Sequence, residues 1–233
     1  MFESIKRVLK ASLQAVGPSD FREPAWFVTG RYNIGNVNPR TNERIFLACR
    51  AENVTAHSMN LTVPVIGRKG TPITVQFDEF GELKGEITGS AARGFDLDIK
   101  ATDEERARLK ARIAWIKTNK KHAVSDQRKH KRVVPREPIS TLVFADGETP
   151  RCFVIDMSAA GAAVSAPVAP PIGTPLALGM VIGRVVRHLP DGFAIRFIDT
   201  QPSDRLEHLL IKPPETWRRK PGRTPGAIAP SAR

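Results

Sequence analysis

Residues 128–161 read RKHKRVVPREPISTLVFADGETPRCFVIDMSAAG, and both the fold and the chemistry of the chain turn on this stretch. It opens on the cationic cluster Gln127-Arg128-Lys129-His130-Lys131-Arg132 and closes, after a strand-like passage, on Asp156-Met157-Ser158-Ala159-Ala160-Gly161. As chemistry, this is two guanidinium groups four residues apart on an arm, then a carboxylate, a hydroxyl and a glycine on a tight turn. Arginine forks match phosphate oxygens or the O6/N7 edge of guanine, and a carboxylate accepts from the N1–H and N2–H donors of guanine's other edge. A ligand carrying both phosphates and guanines would engage both halves.

Arg-xxx-Arg followed by Asp-x-Ser-x-x-Gly, in this order and at about this separation, resembles the signature of PilZ domains, the cytoplasmic receptors for cyclic di-GMP. Basic runs and Ser/Gly turns are each common, so the specificity lies in their combination with the strand patterns that follow. The resemblance implies a six-stranded antiparallel barrel with a helix after its last strand. It also implies that Arg128 and Arg132 wrap over the ligand's phosphates and guanines while Asp156, Ser158 and Gly161 hold a guanine edge. Arg136 is a third candidate for phosphate contact, and the position of Gln127, just before the first arginine, affects in this family whether one ligand or a stacked pair binds. His130, between the arginines, is expected to be exposed and not a ligand.

Working outward, the same pattern occurs earlier in degenerate form. Asn53-x-Thr55-x-x-Ser58 parallels Asp156-x-Ser158-x-x-Gly161, and Cys49 and Cys152 each lie four residues before the first member. Gly70-Thr71-Pro72 and Gly173-Thr174-Pro175 each follow by 17 residues. Phe95 of Gly94-Phe95 and Phe193 of Gly192-Phe193 each stand seven residues before a threonine, Thr102 and Thr200. Two tandem copies of one β-fold account for this. The expected fold is therefore mainly β, two six-stranded antiparallel barrels each followed by a C-terminal helix. Expected boundaries are 1–24 for an amphipathic helix and linker, 25–118 for the degenerate barrel, 119–213 for the complete one with its arm at 124–136, and 214–233 for a basic disordered tail.

In the second copy the patterns predict strands at Ile139–Phe144, Arg151–Ile155, Ala162–Ser165, Leu176–Val181, Arg184–His188 and Phe193–Phe197, with a short helix over Asp204–Ile211. In the first they predict strands at Ile45–Cys49, Leu61–Ile66, Ile73–Phe77, Leu83–Thr88 and Phe95–Ile99, with Asn53–Ser58 as a turn. Thr102 with Glu105 forms a capping box that opens a helix through Trp115. This copy departs from the motif. Asn53 carries no charge, Ser58 replaces the glycine, and the positions matching the arginines are Ala25 and Thr29, while Arg22 and Arg31 are nine apart. It is expected not to bind the nucleotide and to present a surface to the second copy or a partner.

The formal net charge of +12 invites a nucleic-acid reading. The excess is concentrated, however: +5 over residues 121–136 and +4 from Pro213 onward, against −2 over residues 137–212. Phe2, Ile5, Leu9, Leu13 and Val16 form the apolar stripe of a short helix expected to pack on a neighbouring domain or subunit, with a basic membrane-surface anchor as the second reading. Lys6, Arg7 and Lys10 argue against a secretory signal. The uncharged stretch Met157–Gly183 is long enough to span a bilayer, but Pro167, Pro170, Pro171 and Pro175 break any helix there. With two cysteines and no disulfide framework, a cytoplasmic location is expected.

An enzyme is not expected. Ser158 lacks the Gly-x-Ser-x-Gly context of a nucleophile, and the five histidines fall in no metal-ligand spacing. The function expected is a cyclic di-GMP receptor or adaptor, with no cofactor beyond that ligand, whose arm reorients one barrel against the other to regulate an unidentified protein effector. Homodimer formation is left open, and membrane-surface contact through residues 2–16 ranks low. Two other readings compete: a PilZ-shaped adaptor that binds proteins and no nucleotide, and a nonspecific nucleic-acid binder acting through the basic linker and tail. The last would lose affinity steeply with salt.

Overall fold

A computed structural model describes residues 26–38, 41–119 and 132–211 of the chain. The helix expected over residues 2–16, the tail from Pro213, and Gln127, Arg128 and His130 lie outside the described residues. The first half comprises β1 (Phe27–Asn33), β2 (Leu47–Glu52), β3 (Ser58–Thr62), β4 (Pro72–Phe77), β5 (Gly81–Ala91), β6 (Gly94–Ile99) and helix α1 (Asp103–Asn119). The second comprises β7 (Ile139–Phe144), β8 (Arg151–Ser158), β9 (Gly161–Ser165), β10 (Pro175–Leu178), β11 (Val181–Leu189), β12 (Gly192–Phe197) and helix α2 (Leu206–Ile211).

Each set of six antiparallel strands closes on itself in the same ring order: first, second, third, sixth, fifth, fourth. Closure leaves no free sheet edge, because β1 pairs with both β2 and β4, and β7 with both β8 and β10. The barrel interiors follow from period-two patterning. In β6, Phe95, Leu97 and Ile99 point inward while Asp96 and Asp98 point out. Tyr32 and Phe95 meet edge to face inside the first barrel, ring centroids 6.0 Å apart. Phe193 takes the place of Phe95 in the second. Where strands cross closely, both barrels need glycine: a Cβ on Gly94 would lie 1.7 Å from the Leu61 carbonyl oxygen, and one on Gly192 1.9 Å from that of Val164. Both last hairpins also carry a register shift at equivalent places, between Ile87 and Gly89 and between Val185 and Arg187.

Several boundaries differ from the sequence reading. Strand β1 is an addition to the strands expected, with Gly30 at its centre where a Cβ would meet the Gln76 carbonyl oxygen at 2.4 Å. Strand β2 runs to Glu52, later than the expected end at Cys49, and β3 starts at Ser58 because the alternation that buries Met59 and Leu61 begins there. The β10–β11 turn falls at Gly179–Met180, so Val181 belongs to β11 rather than to the strand before it. Helix α1 continues to Asn119, past Trp115, with Leu109, Ile113 and Ile116 on its buried side. Its capping box forms as expected, the Thr102 amide donating to Glu105 Oε2 at 2.7 Å and the Glu105 amide to Thr102 Oγ1 at 3.3 Å. The uncharged stretch Met157–Gly183 folds into strands and turns, and among the described residues no helix is long and apolar enough to cross a membrane.

Candidate ligand-binding site

The site grows from the β8–β9 hairpin. Cys152 and Val154 point into the second barrel, so strict alternation would bury Asp156 and Ser158 as well. A β-bulge prevents this. The register shifts between Val154 and Asp156, leaving Ile155 as the extra residue, and Met157 becomes the next inward side chain. Asp156 and Ser158 are thereby turned to the outer face, both half-buried. Ser158 pairs with Gly161 across the turn, and Ser158 Oγ donates to the Gly161 carbonyl at 3.2 Å. Gly161 matters here for space, since a Cβ would stand 2.4 Å from the Ile195 carbonyl oxygen of β12.

The arm approaches this hairpin along β8, on the side where β7 pairs further back. The Val154 amide donates to the Pro138 carbonyl at 2.7 Å, and beyond it Val133 and Met157 exchange two main-chain hydrogen bonds of 2.8 and 2.9 Å. The residues before β7 therefore form an interrupted extension of that strand, with Pro135 and Pro138 at positions that cannot donate. This pairing sets Arg132 beside the hairpin, where its Nη1 donates to Asp156 Oδ2 at 2.9 Å. Thus Arg132, Asp156, Ser158 and Gly161 converge on one edge of the barrel. Arg136 lies four residues further along, its amide donating to Glu207 Oε1 of α2 at 2.7 Å. The structure does not place Gln127 and Arg128 among its described residues.

Sequence reasoning missed three parts of this arrangement. Val133 supplies the edge pairing, and its signal was a β-branched pair, Val133-Val134, directly after the arm's second arginine. Arg50 of β2 reaches from the first barrel to the carbonyls of Pro135 and Arg136. Glu207 receives the amides of Arg136 and Glu137. Nothing local in the sequence marks Arg50 or Glu207, because both act on residues more than 65 positions away. Cys49 and Cys152 are fully buried, and burial pushes both thiols far up from their ordinary value, so neither supplies a reactive thiolate.

Among curated proteins none matches this chain. Solved structures similar to it include PlzA of Borreliella burgdorferi in complex with c-di-GMP, at 12% identity over 88% of this chain and 98% of that one, TM-score 0.28. YcgR of Escherichia coli in complex with c-di-GMP is 12% identical over 88% of this chain and 85% of its own, TM-score 0.27. The Bacillus subtilis inhibitor of motility is 14% identical over 78% and 92%, TM-score 0.26. The PilZ domain family profile matches residues 126–212, which takes in the arm, the hairpin, the whole of the second barrel and α2. The residues that match the PilZ domain family thus hold a closed barrel of six antiparallel strands, Arg132 set along β8 and the Asp-x-Ser-x-x-Gly hairpin it meets.

Proposed function

We propose that the second barrel is a non-enzymatic receptor for cyclic di-GMP, and that the protein works in the cytoplasm by changing the arrangement of its two barrels to regulate a protein partner. In this reading Arg128 and Arg132 bind the ligand's phosphates and guanine O6/N7 edges, with Arg136 as a further phosphate contact. Asp156 accepts from N1–H and N2–H of one guanine, Ser158 adds a hydroxyl, and Gly161 keeps the surface open. Gln127, just before the first arginine, bears on ligand number.

The observation that carries the reading is the meeting of Arg132 with Asp156 at 2.9 Å, two side chains 24 residues apart. Their side chains are 35% and 26% exposed, and ion pairs at such partly solvated sites hold by only about 0–1 kcal/mol. A guanine edge can therefore take Asp156 while Arg132 swings to a phosphate. Ordering a mobile segment costs about 1–2 kcal/mol per residue. Charge-assisted hydrogen bonds return roughly 1.5–3 kcal/mol each. The Val133–Met157 pairing already anchors the described end of the arm beside Asp156.

Titrating cyclic di-GMP into the purified protein is expected to release saturable heat, and Arg132→Ala is expected to weaken binding by about tenfold or more, as loss of one such contact would. Unchanged affinity in both Arg128→Ala and Arg132→Ala would remove the reading.

A further inference from the structure

Arg50 is among the largest fully buried side chains of the protein, at 0% exposure, and the carbonyls it donates to are not in its own barrel. From β2 it donates through Nη2 to the Pro135 carbonyl and through Nη1 to the Arg136 carbonyl, both at 2.5 Å. Its guanidinium carbon lies 4.2 Å above the centre of the Phe27 ring. The same short segment is gripped from the other side, because the amides of Arg136 and Glu137 both donate to Glu207 Oε1, at 2.7 and 3.1 Å. A cation from the first barrel thus holds the segment's carbonyls and an anion from the second holds its amides. Arg93 of the first barrel adds an ion pair to Glu137. A few residues away the Ala48 amide donates to Ser165 Oγ at 2.9 Å, so the seam between the barrels is built around this segment.

The repeat shows that the fold does not require this arginine. The residue after Cys49 is Arg50, the equivalent residue after Cys152 is Phe153, and both are buried. An apolar side chain therefore fills that strand position perfectly well, and the guanidinium is there for what it grips. Removing a guanidinium from water is costly, and its burial lowers its pKa from the ordinary value, with only the more distant charges of Glu52 and Glu207 opposing. Main-chain carbonyls accept without a countercharge, so the cost is recovered only while the segment stays in place.

We infer that Arg50, opposed by Glu207, is a positioning residue for the ligand arm: it fixes Pro135-Arg136, three residues from Arg132, and through them lets the first barrel set the affinity of the second for an anionic guanine nucleotide. This rests on the binding role proposed above. It assigns the degenerate barrel a task that does not involve touching the ligand.

The test uses the full chain with Arg50→Met, which keeps the volume and unbranched shape of the side chain but removes the bidentate donor. Glu207→Ala loosens the same segment from the other barrel and serves if Arg50→Met fails to fold. Amide exchange without ligand is expected to speed up at Val133, Arg136 and Glu137 in each variant, and calorimetry with cyclic di-GMP to show affinity about tenfold lower. Were Arg50 merely packing, Arg50→Met would leave exchange and affinity at wild-type values, and that result overturns the inference. Absence of heat with the wild-type protein would instead defeat the binding reading, while the exchange rates would still decide whether Arg50 holds the arm.

Discussion

The two barrels share ring order, a bulged last hairpin, an inward cysteine and a hydroxyl closing the turn after the second strand, and yet they treat the polar residue before that turn differently. In the first, Thr55 Oγ1 donates to the Ser58 carbonyl at 2.9 Å, just as Ser158 does to Gly161. The divergence lies one step outward. Asn53, at the position of Asp156, sits in the left-handed region at φ 50° and ends its strand. Its Nδ2 donates to Asn60 Oδ1 at 2.8 Å, and Asn60 in turn donates to Asp96. The equivalent rungs of the second barrel are Ala163 and Ala194, whose methyl groups offer Asp156 nothing. One barrel consumes its polar groups across its own sheet. The other leaves a carboxylate to an arginine that arrives from outside the barrel. The same turn thus serves two ends: where the neighbouring rungs are polar they satisfy the side chain before it, and where they are alanines that side chain is left to a partner from another segment.

The sharpest way to break this contrast is Asp156→Ala. Two charge-assisted hydrogen bonds to a guanine edge, at the lower end of their range, amount to about 3 kcal/mol, so calorimetric affinity is expected to fall about a hundredfold. Retained affinity would mean that the carboxylate is not what separates the barrels. Next in size is Gly161→Ala, whose new Cβ would meet the Ile195 carbonyl oxygen at 2.4 Å; a thermal melt is expected to show a loss of about 1–3 kcal/mol. Ser58→Ala, at the matching place, is expected to stay within about 0.5 kcal/mol.

A smaller effect distinguishes the helices. The Thr102 amide and then its hydroxyl hold the exposed Glu105 carboxyl below its usual range. A folded-state pKa below the unfolded one stabilises above the unfolded value and is lost as pH falls through the folded value. Protection of the first-turn amides of α1, taken relative to their intrinsic exchange rates, is therefore expected to fall as pH drops below the ordinary carboxylate range, and Glu105→Gln to flatten that dependence. The smallest expected effect is none at all: Asn53→Asp restores the carboxylate to the first barrel but brings no arginine arm, so calorimetric stoichiometry is expected to stay unchanged. A gained site would show that the arm is dispensable.

Much of this protein was legible residue by residue. Period-two patterning with inward Phe95, Leu97 and Ile99 marks a strand wherever it occurs, and the Thr102/Glu105 box marks a helix start from four residues. The spacings from cysteine to turn to Gly-Thr-Pro revealed the duplication before any coordinates, and the ring order common to both halves agrees with it. Less legible was β1, where Gly30 obeys a tight approach to Gln76 and Phe77 that no neighbour in sequence announces. The contrast between Asn60/Asp96 and Ala163/Ala194 is written in the repeat itself, past the turn.

By itself the amino-acid order determined what depends on near neighbours: alternation, turns, caps, and the pairing of an arginine run with an acidic turn. Tertiary structure alone decided which way Asp156 faces, because a bulge at Ile155 is a property of two strands in register and not of either one. It also decided that Arg50 holds a segment 85 and 86 residues away. A buried guanidinium is tolerable only when acceptors are brought to it, and only the folded chain brings them.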